Sequence, residues 1–409
     1  MKRILISRPL LKYYNIFLED KMGNVVGIIC EYNPFHKGHK YQIEKIKENM
    51  PDATVIGIMS GNVVQRGEFA IIDKYNRAYL ASKCGLDGVF EIPYPYCGST
   101  AEIFANAGVV IAGQLGCTHL CFGTEETDVS ELEKIAEIID KEDFSAELER
   151  SLDASNNYLQ AKEAALKKYG CRLPKSSNDI LALEYIRAIK SKKLPLKYFS
   201  IKRVGARYND LTENQIMSAS AIRNHFVKNN FFKSIPACLE EEYKSIIENG
   251  EYILQNSVKE FIYRSSIIAS RENIDNAFDS CAEIGAIIKE TSKNAKCSDE
   301  FFDNLSSKSY TNSRIKRVLL YSLSGICNVD KSPDFSVLLY SNEKCKELLK
   351  STRKNEFFNV LTKMADAKKL SEKSKMYFDA SMKLDELYFS FFKTSKNPKD
   401  VYSFKPILK

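Results

Sequence analysis

The sequence predicts an α/β protein: a doubly wound parallel sheet over the first half of the chain, followed by an all-helical C-terminal domain. Three observations carry that expectation. Short apolar runs alternate with stretches of helical periodicity through the first half, which is how βαβ units read in sequence. From about His225 the strand signals fade and long amphipathic stretches take over. The length, 409 residues with 44% apolar content, exceeds what one core usually fills, so two domains are expected.

Taken in order, "VVGIIC" (Val25–Cys30) is the first strand. The turn "EYNPFHKGH" (Glu31–His39) leads into "KYQIEKIKENM", where Tyr41, Ile43, Ile46 and Met50 recur at helical spacing. "TVIGIM" (Thr54–Met59), "DGVFEIP" (Asp87–Pro93) and "THLCFG" (Thr118–Gly123) are the next strands, with periodic helices between them. Two helical stretches, "LERSLDASNNYLQAKEAALKKYG" and "SNDILALEYIRAIKSKKL", precede a last strand, "LKYFSIKR" (Leu196–Arg203). Beyond it, "EEYKSIIENGEYILQNSVKEFIYRSSII" and "SRIKRVLLYSLSGI" are amphipathic helices, and no internal repeat is visible. The expected division is an extension over residues 1–22, an α/β domain over 23–225 and a helical domain over 226–409. Because the first strand begins just after Met22-Gly23-Asn24, Met22 stands as a second candidate for the start of translation.

Composition narrows the classes. The formal net charge of +7 is unevenly placed, since residues 301–409 hold 21 basic against 12 acidic side chains, and such a basic C-terminal quarter suits a polyanionic partner. Eleven cysteines lie scattered without a CxxC pair, and Cys117 and Cys121 around His119 lack the second half of a zinc site. Reduced thiols in a cytoplasmic protein are the expectation, and no metal ligand set is expected. No apolar run approaches the roughly 20 residues of a membrane span, and the opening "MKRILISRPLLKYYNIFLEDK" has no small-residue cleavage site.

Function is written in the loops that follow strands. "HKGH" spends two of the four histidines where a strand ends and a helix begins. Helix starts at the carboxyl ends of parallel strands attract phosphate, and two imidazoles there can donate to phosphoryl oxygens. The plainer reading is one capping and one surface histidine. "SGNVVQRGEF" (Ser60–Phe69) brings two glycines and Arg66, "FGTEETD" brings Gly123, and "MSASAIR" (Met217–Arg223) brings Ser218, Ser220 and Arg223. Each has a plain reading as a surface loop or helix cap, but one nucleotide site shared by four loops explains them together.

These segments carry a resemblance. HxGH after the first strand, with a serine-rich segment ending in arginine late in the domain, is similar to the HIGH-type nucleotidyltransferases with their Rossmann-like sheet. "GIICEYNPFHKGH", "SGNVVQRGEFAIIDKYNRA" and "MSASAIR" together resemble the bacterial tRNA(Met) cytidine acetate ligases, from about Val25 onward. The resemblance implies an ATP-dependent ligase that joins acetate to ATP, releases pyrophosphate and passes the acetyl group from acetyl-adenylate to the exocyclic amine of the wobble cytidine of elongator tRNA(Met). It implies His36 and His39 as catalytic, and an ATP loop of Ile29, Cys30, Glu31, Tyr32, Asn33, Pro34, Phe35, His36, Lys37, Gly38, His39, Lys40, Tyr41 and Gln42. Gly123, Asn178 and Arg203 would contact the nucleotide, and Ser218, Ser220 and Arg223 the pyrophosphate end. The departures are the 22-residue extension and "SSND", an approximate match around Asn178. Mg²⁺ is expected to arrive on the phosphates.

No Ser/His/Asp or Cys/His pattern is present, as expected where adenylation supplies the leaving group and no covalent protein nucleophile is needed. "SYTNSRIKR" places Arg314 and Arg317 three apart on one helix face, with Lys316 beside them and Tyr310 near enough to stack. On the resemblance, these four contact tRNA in the domain over 226–409; the plain reading is a solvated face. His119 and His225 are read as structural. The alternatives are a small-molecule adenylyltransferase of the same fold and a non-catalytic tRNA-binding protein.

Overall fold

The structure, a computed structural model, describes residues 23–153, 158–203, 217–226, 231–305, 310–353, 355–392 and 406–408. The expected extension over residues 1–22 lies outside them. Strands β1 (Val25–Cys30), β2 (Thr54–Ser60), β5 (Gly88–Ile92), β6 (His119–Thr124) and β7 (Lys197–Lys202) form the parallel body of one sheet, in the order β5-β2-β1-β6-β7. A short antiparallel hairpin, β3 (Val63–Val64) and β4 (Glu68–Phe69), leaves the end of β2. All of β5, and all of β2 beyond Thr54, is buried. That is the continuous apolar pattern expected of parallel strands covered on both faces.

Helices α1 (Lys37–Asn49), α2 (Lys74–Lys83), α3 (Ala101–Gln114), α4 (Val129–Ile139), α5 (Glu142–Asp153), α6 (Tyr158–Lys168) and α7 (Ser177–Ser191) connect or follow these strands. Helix α3 is capped by Thr100 and almost wholly apolar. It lies so close to β1 that a Cβ on Gly108 would stand 2.7 Å from Ile29 Cδ1. Strand order reverses at β1, between β2 and β6, and this is where open α/β sheets bind ligands.

The later half of the chain is mainly helical, as expected: α8 (Ala219–His225), α9 (Glu240–Glu248), α10 (Gln255–Ile268), α11 (Arg271–Asp275), α12 (Ala282–Asn294), α13 (Ser298–Asn304), α14 (Asn312–Ser324), α15 (Glu343–Thr352) and α16 (Glu372–Ser390). It is not helical throughout. Strand β8 (Phe335–Ser341) enters the sheet antiparallel to β5, and β9 (Asn359–Leu361) and β10 (Ile407–Leu408) pair with β8. The run "FSVLLYS" is fully buried. It supplies the partner that β5, already buried on both faces, needs along its free edge.

Side chains weld the halves together. Lys74 of α2 reaches Glu91 of β5 at 2.8 Å and Asp385 of α16 at 2.7 Å, all three nearly inaccessible. Asp385 Oδ1 also accepts from Asn62 Nδ2 at 2.8 Å, just past β2. Tyr243 of α9 donates its hydroxyl to Phe35 O at 2.7 Å, and Ile253 N donates to Ile71 O at 3.0 Å. The α/β unit therefore draws part of its own edge and core from residues beyond 226. A fragment ending at residue 226 leaves the β5 edge bare and strips Lys74 and Glu91 of Asp385. It should show no cooperative thermal transition by circular dichroism, while the full chain shows one; a cooperative fragment would restore an independent first domain.

Candidate active site

The segment between β1 and α1 is built from main-chain constraints upward. His36 is the N-cap of α1, and its Nδ1 accepts from Gly38 N at 3.0 Å. His39 reciprocates, its Nδ1 accepting from His36 N at 3.3 Å. The rings stack with centroids 3.8 Å apart. Because both Nδ1 atoms accept, each neutral ring carries its proton on Nε2. Nε2 of His36 is buried and has no hydrogen-bond partner among the described residues, a donor open to a ligand or water.

Burial, then the charge of Arg203, presses the His36 pKa down to about 3, and burial followed by His36 and Arg203 holds His39 well below the usual value. The pair is a set of neutral N–H donors at a helix start. Gly38 is required for a reason the sequence did not show: a Cβ there would lie 2.9 Å from Cε1 of the His36 ring. The glycine makes room for the imidazole itself.

The rest of the segment divides by role. Tyr32 (φ 48°), Asn33, Pro34 and Phe35 are buried. Tyr32 sets its ring edge against Phe35 and His39, at 4.9 Å from each, and Asn33 Oδ1 accepts from Ile71 N at 2.9 Å. Ile29 packs on α3, and Cys30 Sγ lies 3.9 Å from Ile58 O. Glu31 accepts from Gln65 N at 2.9 Å, Lys37 donates to Lys233 O at 2.6 Å, and Gln42 reaches Cys121 Sγ at 3.6 Å. Lys40 pairs with Glu44, and Tyr41 lies under Lys45. Most side chains of the expected ATP loop thus shape the loop, and the far nitrogens of the two histidines have no partner among the described residues.

Three further loops converge. Gly123 leaves space for Arg203, whose Cγ would stand 3.3 Å from a Cβ there. Glu125 Oε1 takes hydrogen bonds from Asn178 Nδ2 and, at 3.5 Å, from Arg203 Nη1. Ser218 caps α8 through Ala221 N at 3.2 Å. Arg223 donates to Asn33 O at 2.7 Å and to Ser220 Oγ at 3.1 Å, so it grips the histidine loop and is not a solvated arginine.

Two contributors were missed. Asp179, fully buried, accepts from the N–H groups of Glu125, Glu126 and Thr127 at 2.8, 3.1 and 3.1 Å, and so moulds the loop after β6. Arg77, also fully buried, donates to the carbonyls of Glu31, Gly61 and Ile72.

The α14 cluster departs from expectation. Arg317 is 7% exposed and pairs with Asp279 at 3.3 Å. Arg314 pairs with the same carboxylate at 3.1 Å and lies over the Tyr310 ring, Tyr310 bonds Glu283, and Lys316 holds Glu68 at 2.6 Å. Arg317 is thus largely packed and already paired, which is not the solvated side chain that the sequence suggested. His119 accepts or donates through Nδ1 to the Thr118 hydroxyl at 2.9 Å, in keeping with a structural role.

Neutral imidazole donors at a helix start, at the point where strand order reverses, define a class: enzymes that act on the phosphates of a nucleotide. The family description HIGH Nucleotidyl Transferase matches residues 23–402. Among curated relatives, the tRNA(Met) cytidine acetate ligase of Thermoanaerobacter sp. (strain X514) is 33% identical over 392 residues, covering 91% of this chain and 96% of the relative. The ligase of that name from Clostridium perfringens (strain ATCC 13124) is 33% identical over 412 residues, covering 94% and 99%. The crystal structure of Thermotoga maritima TmcAL bound with alpha-thio ATP superposes with a TM-score of 0.87 at 26% identity, covering 94% of this chain and 99% of that one. The chain belongs to the tRNA(Met) cytidine acetate ligase family of HIGH nucleotidyltransferases.

Two outcomes follow. With pKa values depressed in the fold, the unfolded chain binds protons near pH 6.5 that the folded histidines refuse, so the ligand-free protein loses stability as pH falls from about 6.5 toward 3. The melting-temperature difference between pH 7 and pH 5 should shrink in His36→Gln, and an unchanged difference would show that His36 does not contribute. Arg317→Ala, by leaving Asp279 short of a partner, should lower unfolding free energy by about 2–3 kcal/mol in urea titration, where a solvated arginine would cost nearly nothing.

Proposed function

We propose that this chain is an ATP-dependent ligase that activates acetate as acetyl-adenylate and acetylates the exocyclic amine of the wobble cytidine of elongator tRNA(Met). The observation that carries the reading is the buried, unpartnered Nε2 of His36 beside His39, both fixed as neutral donors, in a chain whose relatives carry that ligase name over nearly their whole length.

The chemistry has two displacements. A carboxylate oxygen of acetate attacks the α-phosphorus of ATP, and the bond to the bridging oxygen breaks, so that pyrophosphate leaves with the electron pair. The cytidine amine then attacks the acetyl carbon, the carbon–oxygen bond to AMP breaks, and the amine gives up one proton. In the first displacement His36 and His39 donate Nε2–H to phosphoryl oxygens where charge builds. Fixed N–H donors stabilise that charge without reorganising. Arg203 and Asn178 release Glu125 to contact the nucleotide, and Ser218, Ser220 and Arg223 face the pyrophosphate end. Mg²⁺ would arrive on the phosphates it accompanies, and no step is routed through it.

The RNA docks beside the helical half, its wobble base presented from a single-stranded loop. Tyr310, Arg314 and Lys316 can serve it only by exchanging Asp279, Glu283 and Glu68 for phosphate. Among the described residues no helix is long and apolar enough to cross a membrane, and a cytoplasmic location goes with a tRNA substrate.

His36→Ala and His39→Ala should each lower acetate-dependent ATP/pyrophosphate exchange by about 10²-fold or more, and mass analysis of tRNA(Met) should find one acetyl group on the wobble cytidine with the parent enzyme. Exchange without acetate, or with no need for tRNA in the overall product, would favour the small-molecule adenylyltransferase; full activity in both variants would remove the histidines from the mechanism.

A further inference from the structure

The residues expected to contact the nucleotide outside the histidine loop and the α8 start lie on one side of β1. Gly123 lies near the end of β6 and Glu125 just after it, Asn178 is in the first turn of α7, and Arg203 follows β7, whereas β2 and β5 lie on the other side of β1. The second substrate of an in-line displacement must reach the α-phosphorus from a side that those contacts leave open, and the β2 side carries none of them. The segment standing there is the β3–β4 hairpin, whose tip carries Arg66.

That tip is held from several directions. Gln65 N donates to Glu31 Oε1 at 2.9 Å, and Gln65 Nε2 donates to Ser99 O at 3.3 Å. Gly67, at φ +70°, lies so close to α14 that a Cβ would stand 2.7 Å from Arg317 N. Lys316 clasps Glu68 at 2.6 Å. A rigid mount has been built for an exposed residue. Arg66 itself reaches across to the first residue of α7, donating from Nη2 to Ser177 Oγ at 2.8 Å, next to Asn178. Its partner is a neutral hydroxyl, whereas Arg203 faces Glu125, and Arg223, assigned above to the pyrophosphate end, is also bonded to Asn33 O and Ser220 Oγ. A guanidinium held in place, exposed and facing a weak partner is poised for an anion brought by substrate, and its planar fork matches a carboxylate through two parallel hydrogen bonds.

We infer that Arg66 binds the carboxylate of the acetate substrate, exchanging the Ser177 hydroxyl for it and holding one carboxylate oxygen toward the α-phosphorus. The inference rests on the proposed ligase reading. The experiment is steady-state kinetics of the full chain, at varied acetate with saturating ATP and at varied ATP with saturating acetate, read by ATP/pyrophosphate exchange and by acetylation of tRNA(Met). In Arg66→Met the KM for acetate should rise about 10-fold to 100-fold, the range for losing a charge-assisted hydrogen bond, while the KM for ATP stays within about 3-fold. Arg66→Lys should recover part of the acetate KM, since charge returns without the fork. Melting temperature should not move in either variant, the side chain being exposed.

Parallel rises in the KM for ATP and acetate would make Arg66 a phosphate contact, and a rise confined to tRNA would make it an RNA contact; either overturns the assignment, as does an unchanged acetate KM. A parent enzyme that neither exchanges nor acetylates with acetate overturns the ligase reading itself, and that result is separate from any difference between the variants and the parent.

Discussion

One buried guanidinium holds the active-site loops in register. Arg77 of α2 is inaccessible to solvent, and its three nitrogens donate to Glu31 O, Gly61 O and Ile72 O. These carbonyls lie just past β1, just past β2 and on the return from the hairpin, where the sheet ladder has ended and buried acceptors need other donors. A planar fork with five N–H groups can meet three carbonyls from three segments at once, and a lysine cannot. Burial presses the Arg77 pKa down, yet the charge persists because the carbonyl dipoles converge on it. From that centre the constraints run outward: Glu31 anchors Gln65, and Asn62, next to Gly61, accepts from Lys74 N at 2.8 Å and donates to Asp385. The histidine loop, the hairpin and α16 are thus set by contacts that begin at Arg77.

The location of the site was legible because strand ends, glycines and helix caps are local signals. Much of the division of labour was not. Asn178 was singled out, and the structure brings it to Glu125 and Arg203, but its neighbour Asp179 does the moulding. The sequence carried half of that clue, since Ser176 caps α7 with Asp179 N at 3.0 Å and an acidic residue in a first helical turn is ordinary. The other half, three N–H groups more than fifty positions away, has no local trace. Gly38 counted as one member of the expected ATP loop, and its collision partner is the adjacent ring.

The helical half shows the same limit from the other direction. "FSVLLYS" is rich in strand formers, yet a single such run among helices gains meaning only from its partner β5, more than two hundred residues earlier. The cations of α14 look like a free basic face when counted along the helix, but Asp279 and Glu68 come from elsewhere in the chain. Local charge surplus measures what a surface can attract only after such pairs have been subtracted, and here Arg317 is both paired and largely buried.

The histidine pair draws these constraints into chemistry. Burial first, and then the charge of Arg203, strip the imidazoles of a second proton, while the helix start and Arg203 together make a positive field. The positive potential that attracts a triphosphate is therefore carried by groups other than the histidines, and the histidines contribute direction: two N–H bonds whose orientation the main chain has fixed. Imidazole fits this duty because one rigid ring has an acceptor on one side, free to take the helix's own N–H, and a donor on the other, free for the ligand. Asparagine can cap the helix equally well, but its donor and acceptor share one carbon and cannot reach apart in that way. The bound polyanion would in turn favour protonated rings, so ligand and proton binding at this site are linked, and the apo enzyme sits at the neutral end of that linkage.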